Sequence, residues 1–293
     1  MKQFRMLFFI FLIISCAAYA AVADVVIFSY NRPMQLYALL ESMEACVDGV
    51  GQMHVIYRAD TDAFTSAYDD VAADFDYVLF EKQAATPRTD FKPLTMRATF
   101  DSPSDYVIFA VDDIVVKDYV DLSQSIELLE QEKAYGVYLR LGLHLNWNYP
   151  WNQAQSLPST RCIGDDVHAW TFSQGHHDWG YPNTVDMTLY RKQDIHDDFN
   201  RLSFTNPNTL EGSWAGLARK IMHRTGLCYA LSKMVNLPLN RVQHTYHNRH
   251  MDEYSAQELL AIFNSGKKMD IAPLWQIENG GAHMEYSPTF TER

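Results

Sequence analysis

An α/β fold with a mostly parallel central sheet is predicted by three observations on this 293-residue chain. Apolar runs of strand length recur along its first half. Each is followed by a stretch with apolar residues at helical spacing. The runs are near-continuous rather than alternating, as in strands covered by helices on both faces. Strands and helices alternating at this interval predict parallel pairing with right-handed crossovers. With 47% hydrophobic and 13% aromatic residues, the chain can bury a sizeable core.

The elements follow in order. Residues 24–30 form the first strand, with Val25 to Phe28 as its apolar centre. Asn31-Arg-Pro33 is a turn, because Pro33 disfavours helical geometry at Arg32. Leu36, Leu39, Leu40 and Met43 then mark a helix over 34–46. Strands are expected at 54–57, 77–80 and 106–111, with helices at 63–75 and 92–100. The second half opens with a helix at 118–132 and a strand at 136–143. Residues 144–190 are rich in Trp, His, Asn, Gly and Pro, which suits a loop-dominated binding region. Trp147, Trp151, Trp170 and Trp179 there either stack on sugar faces or pack in the core. A strand at 187–190, a short helix from 193, a helix over 210–224, a final strand at 234–237 and a helix over 255–265 complete the chain. No repeat or linker divides it. One domain is expected from residue 24 onward, with a nucleotide-type half at 24–116 and an acceptor-type half at 117–293.

Residues 1–23 read as a targeting segment. Lys2 and Arg5 precede an apolar stretch over 6–14, and small residues lead to cleavage-type sites at Ala20 or Ala23. Ile13-Ile-Ser-Cys16 also resembles a lipoprotein box, and 6–23 is long enough for an uncleaved anchor. Each alternative places the folded part outside the cytoplasm. The net charge of -12 argues against a nucleic-acid partner and against adhesion to anionic lipid, so any membrane association belongs to the N-terminus. Cys46, Cys162 and Cys228 lack metal-type spacing.

The most informative feature is Asp112-Asp113, two adjacent carboxylates at the end of the 106–111 run. Ligands of open α/β sheets bind at the carboxyl ends of strands. Two hard oxygen donors there suit Mg²⁺ or Mn²⁺ completed by substrate phosphates; the alternative is a solvated turn. His244, His247 and His250 form a late histidine cluster, of which His244, nearest the last strand, is the candidate metal ligand beside Asp113.

Taken together, these segments resemble a glycosyltransferase of the GT-A fold, family-2-like, from about residue 24 onward. Val26-Ile-Phe-Ser-Tyr-Asn-Arg-Pro33 resembles the opening strand and turn, Val111-Asp-Asp-Ile114 the DxD motif with its carboxylates adjacent, and Asn206-Pro-Asn-Thr-Leu-Glu-Gly212 the segment with the acidic catalytic residue. The resemblance implies a metal-dependent transfer from a nucleotide-sugar donor to a glycan or other hydroxyl acceptor. It implies that Ser29, Tyr30, Asn31 and Arg32 hold base and ribose, that Asp60 contacts the base, and that Lys92 and Arg97 meet the diphosphate. Asp112 would lie near the ribose or a metal-bound water, and Asp113 would ligate the metal. Glu211, at the start of a helix, would be the general base, with Asp178 as runner-up. The competing reading is a secreted carbohydrate-binding protein without turnover. Export favours it, because nucleotide sugars are made in the cytoplasm. Retention of Asp113 and Glu211 favours catalysis.

Overall fold

The computed structural model describes residues 22–84, 87–164, 166–242 and 249–293. Residues 1–21 of the expected targeting segment 1–23, and the histidines at 244 and 247, lie outside the described residues.

Nine strands form one mixed sheet. In spatial order they are Arg161–Cys162, Val167–Thr171, Thr225–Tyr229, Gly136–Gly142, Thr188–Arg191, Tyr106–Val111, Ala23–Tyr30, Val50–Arg58 and Leu79–Lys82. Seven run one way; Thr188–Arg191 and Val167–Thr171 are reversed. The four strands of the first half are all parallel, joined by helices α1 (Pro33–Cys46), α2 (Asp62–Asp74) and α3 (Pro87–Phe100). The second half adds α4 (Leu122–Gln131), α5 (Lys192–Arg201), α6 (Pro207–Ala215) and α7 (Ala256–Asn264).

Strand side chains alternate between faces, which explains the unbroken apolar runs. Val25, Ile27, Val55, Ile108 and Ala110 join a core with Leu36, Leu39 and Leu40 of α1 and Phe263 of α7. Val26, Phe28, Ile56, Val107 and Phe109 join a second core with Phe91 of α3, Phe199 of α5 and Trp214 of α6. Phe109 stacks on Phe199 at 5.3 Å and meets Trp214 edge-on at 6.1 Å, aromatic geometries that add to simple burial.

Several boundaries differ from the sequence reading. The first strand begins at Ala23, which is fully buried and pairs with both neighbours. The helix expected over 118–132 starts only at Leu122, because Asp121 caps it by accepting from Gln124 N at 3.1 Å. The helix expected over 210–224 is instead α6, begun by the Asn206–Thr209 capping box and ending before Gly216, with a 3₁₀ turn at Ala218–Lys220. Two sheet strands were not expected from the sequence: Val167–Thr171 falls in the stretch read as loop, and Thr225–Tyr229 follows the expected 210–224 helix in a stretch given no element. The 234–237 strand is shorter, Met234–Asn236, and is not the last: Lys267–Met269 pairs with Phe290–Glu292. Among the described residues no helix is long and apolar enough to cross a membrane. Cys46, Cys162 and Cys228 are free thiols.

Candidate functional site

Parallel strands deliver their carboxyl ends to one edge of the sheet, so Tyr30, Arg58 and Val111 finish side by side. The residues that follow them build the first part of the site. Asp112 is 4% exposed. Its Oδ2 accepts from Ser29 Oγ at 2.9 Å and from the Tyr30 amide at 3.0 Å, and its Oδ1 accepts from Arg32 Nη1 at 3.0 Å. The same Nη1 donates to Asp113 Oδ2 at 3.2 Å. Arg32 also donates from Nε to Asn240 Oδ1 at 2.9 Å and from Nη2 to the Asn240 carbonyl. Burial raises the Asp112 carboxyl above its ordinary range; Arg32 opposes that shift and the Asp113 charge adds to it.

Beside this pair lies an open polar cluster. Asn31 adopts a left-handed conformation, φ +52°, which Asn tolerates better than most residues. Its side chain accepts from the Asp60 amide at 3.0 Å and donates to Asp60 Oδ2 at 3.1 Å. Tyr30 donates to the same oxygen at 2.5 Å, and the Arg58 guanidinium covers the Tyr30 ring at 4.6 Å. Burial works upward on Asp60, but the bonds from Tyr30, Asn31 and Arg58 outweigh it and hold the carboxyl low. Tyr30 is pushed up to about 12 by burial and by its bond to Asp60.

The second part of the site depends on the reversed strand. Because Thr188–Arg191 runs against Tyr106–Val111, its amino end lies at the edge where its neighbour's carboxyl end lies. That brings Asp186 within electrostatic reach of Asp113. Burial raises Asp186 to about 6; Arg140 pulls it down, while Asp113 and Asp178 push it up. Glu211 is raised to about 7 by burial and then by Asp186, against the bonds that Thr184 and Val185 supply. Those bonds both fall on Oε1, from Thr184 Oγ1 at 2.6 Å and Val185 N at 3.0 Å.

Arg140, 2% exposed, pairs with Asp178 at 3.3 Å and donates to the carbonyls of Asp178 and Tyr181. Burial works against its charge, and Asp178 with Asp186 more than offsets that. Gln155 Nε2 occupies the other Asp178 oxygen at 3.0 Å. His283, stacked on Tyr149 at 6.0 Å, is held below its ordinary range mainly by burial. Asn236 is paired in register with Ile114, and Leu237 N donates to the Asp113 carbonyl at 2.7 Å. Several buried polar atoms here have no hydrogen-bond partner among the described residues: Asn236 Nδ2 and Oδ1, Gln155 Oε1, Arg140 Nε and His283 Nδ1. Asn236 neighbours Asp186 electrostatically yet stands outside bonding geometry. Such orphans are costly unless a ligand or water answers them.

The sequence-derived candidates sort as follows. Ser29, Tyr30, Arg32, Asp112 and Asp113 come together, with Asn31 and Asp60 alongside. Lys92 and Arg97 are not brought to the acidic pair. Lys92 Nζ donates to the Asn200 and Leu202 carbonyls at the carboxyl end of α5, and Arg97 pairs with Glu81 at 2.7 Å. Glu211 sits at the fifth position of α6, not at its start, so the helix terminus does not act on it as expected. Asp178 has both oxygens engaged and acts as the partner of Arg140. Trp170 and Trp179 are core, whereas Trp147 and Trp151 are exposed on a small hairpin.

Asp186, Arg140, Gln155 and His283 were not singled out from the sequence. Asp186 precedes an apolar strand, but only the antiparallel pairing reveals which edge it occupies. Among the described residues no three His, Cys, Asp or Glu side chains converge as a metal cage. Asp113 nonetheless fits one position of a hard-cation site, since only Arg32 among the described residues donates to its carboxylate. The proposed ligand His244 lies outside the described residues.

No family model matches the chain. It is 25% identical over 240 residues to the bifunctional glycosyltransferase pgtA of Dictyostelium discoideum, covering 74% of this chain and 31% of that protein. The chain thus spans about a third of that relative's length. Among solved structures, S. aureus TarS 1-349 in complex with UDP has a TM-score of 0.46 at 13% identity, over 72% of this chain and 58% of that one. The mannosyltransferase PcManGT of Pyrobaculum calidifontis, in complex with GDP-Man and Mn²⁺, has a TM-score of 0.41 at 12% identity, over 74% and 59%. By sequence, most of this chain is similar to part of a glycosyltransferase, in agreement with the resemblance its motifs carry.

Proposed function

We propose that the protein transfers a sugar from a nucleotide-sugar donor to an acceptor hydroxyl. One observation carries this reading. The Asp113 charge acts on Asp186 and the Asp186 charge acts on a half-buried, upward-shifted Glu211, so the strand-edge carboxylates and Glu211 form one electrostatically connected cluster. The Tyr30, Asn31 and Asp60 cluster offers polar groups and an aromatic ring suited to a nucleoside. Asp113 would contribute a carboxylate to Mn²⁺ or Mg²⁺, which when bound neutralises charge on the leaving diphosphate.

Glu211 is the base. Its Oε1 is fixed by Thr184 and Val185, which leaves Oε2 to take the acceptor proton. The acceptor oxygen then bonds to the anomeric carbon as the carbon–phosphate oxygen bond breaks, and the nucleoside diphosphate departs with that electron pair. Attack from the face opposite the leaving group inverts the centre. The charged-then-apolar N-terminus supports a location outside the cytoplasm, with any membrane contact made by that segment.

Thermal unfolding with a panel of nucleoside diphosphates and nucleotide sugars, each with and without Mn²⁺, tests the reading. Stabilisation by one nucleotide, enhanced by Mn²⁺ and weakened in Asp113→Ala, is expected. A folded protein indifferent to every nucleotide overturns it and returns the chain to a carbohydrate-binding scaffold.

A further inference from the structure

Arg32 is held more firmly than a substrate-seeking arginine needs to be. Its neighbours preset its backbone: Asn31 is left-handed, Pro33 opens α1, and the Arg32 amide donates to the Tyr68 hydroxyl at 3.0 Å. Its side chain is only 11% exposed and reaches Asp112, Asp113 and two acceptors of Asn240. The guanidinium therefore lies against the same carboxylate oxygens that a divalent ion would seek.

Its contacts are unequal. One nitrogen, Nη1, serves both carboxylates, at 3.0 Å to Asp112 and 3.2 Å to Asp113. Asp112 has three donors, whereas Asp113 has Arg32 alone among the described residues. Nε and Nη2 hold the rigid guanidinium plane on Asn240. Asp113, with a single donor, is thus the carboxylate that can turn away from a guanidinium that stays anchored.

We infer that Arg32 is a resident cation that guards Asp113, so that a divalent ion gains this carboxylate only by parting it from the guanidinium. The inference rests on the reading of Asp113 as a metal ligand. Two carboxylates and one guanidinium leave a single negative charge, too little to hold a dication well, and the guanidinium repels it at close range. An anionic diphosphate arriving with the metal removes that deficit. The guard therefore makes metal binding depend on the donor, and Arg32 is a positioning residue.

The test is Mn²⁺ binding to the full chain without nucleotide, followed by the electron paramagnetic resonance signal of free Mn²⁺ at mildly alkaline pH. Arg32→Gln is expected to bind Mn²⁺ roughly tenfold or more tightly than the native protein, since the opposing charge is gone. Arg32→Lys, which keeps the charge, should stay near the native affinity. Adding Asp113→Asn to Arg32→Gln should abolish the gain. Equal affinity of Arg32→Gln and native protein overturns the inference, as does a gain that survives Asp113→Asn. Should Arg32→Gln fail to fold, native protein and Asp113→Asn are compared with and without a nucleoside diphosphate, and Mn²⁺ bound by the native protein equally well without the nucleotide overturns the inference. A Mn²⁺ gain in a protein that no nucleotide stabilises would retire the transferase reading and leave the guard standing.

Discussion

Glu211 is the residue on which chemistry and stability meet. Its carboxyl titrates near 7 in the fold against 4.5 for an unperturbed glutamate. The folded state therefore binds more protons than the unfolded state between those values. Stability from this group is full below about pH 4.5 and is lost as pH rises through about 7. Asp186, raised to about 6, acts in the same direction over a lower window. Glu211→Gln should flatten the decline of the urea midpoint between acid and neutral pH, and an unchanged slope would refute the shift. A base must be ionised, so transfer should rise with pH through about 7 and fall about 10²–10⁴-fold in Glu211→Gln. Arg140 carries a different burden. Arg140→Ala leaves Asp178 without its buried counter-charge and should destabilise by about 3–5 kcal/mol, read from chemical denaturation.

At the scale of elements, the site depends on strands whose pattern is hard to read. Thr225–Tyr229 packs between Val167–Thr171 and Gly136–Gly142. Its Gly226 faces aromatic rings: a Cβ there would meet Phe172 Cε1 and Trp170 Cη2 at 2.6 Å. Gly226→Ala should therefore cost about 1–3 kcal/mol through overpacking, measured as a lower denaturation midpoint. The glycine that admits these rings also weakens the strand signal in the sequence, and neighbouring Arg224 and Thr225 resemble a helix end. By contrast α1 and the Tyr106–Val111 strand were legible, because Leu36, Leu39, Leu40 and Met43 follow one helical face and the strand is buried on both sides.

Across the whole molecule, one buried ion pair ties the two halves. Asp24, on the first strand, meets Lys192 at the start of α5, at 2.6 Å and 168 residues away in sequence. Asp24 also accepts from Gln52 N and from Ser102 Oγ. Lys192→Met should cost about 3–5 kcal/mol, because it strands Asp24 in the interior, whereas removing both charges together should cost less. A double-mutant cycle by denaturation measures the difference; a loss in the double variant equal to the sum of the two single losses would show that the pair is not coupled.

The sequence by itself determined the α/β class, the order of the first strands and helices, and the Ser29–Arg32, Asp60 and Asp112–Asp113 cluster. Class and element order follow from local periodicity; the members of the cluster were named through the resemblance of their motifs, and parallel strands sharing one edge bring them together. Tertiary structure decided the rest. Antiparallel pairing of Thr188–Arg191 placed Asp186 at the site. Folding sent Lys92 and Arg97 to other partners and closed Asp178 against Arg140. The physical reason is that charge pairing and burial are set by neighbours distant in sequence, which no local pattern encodes.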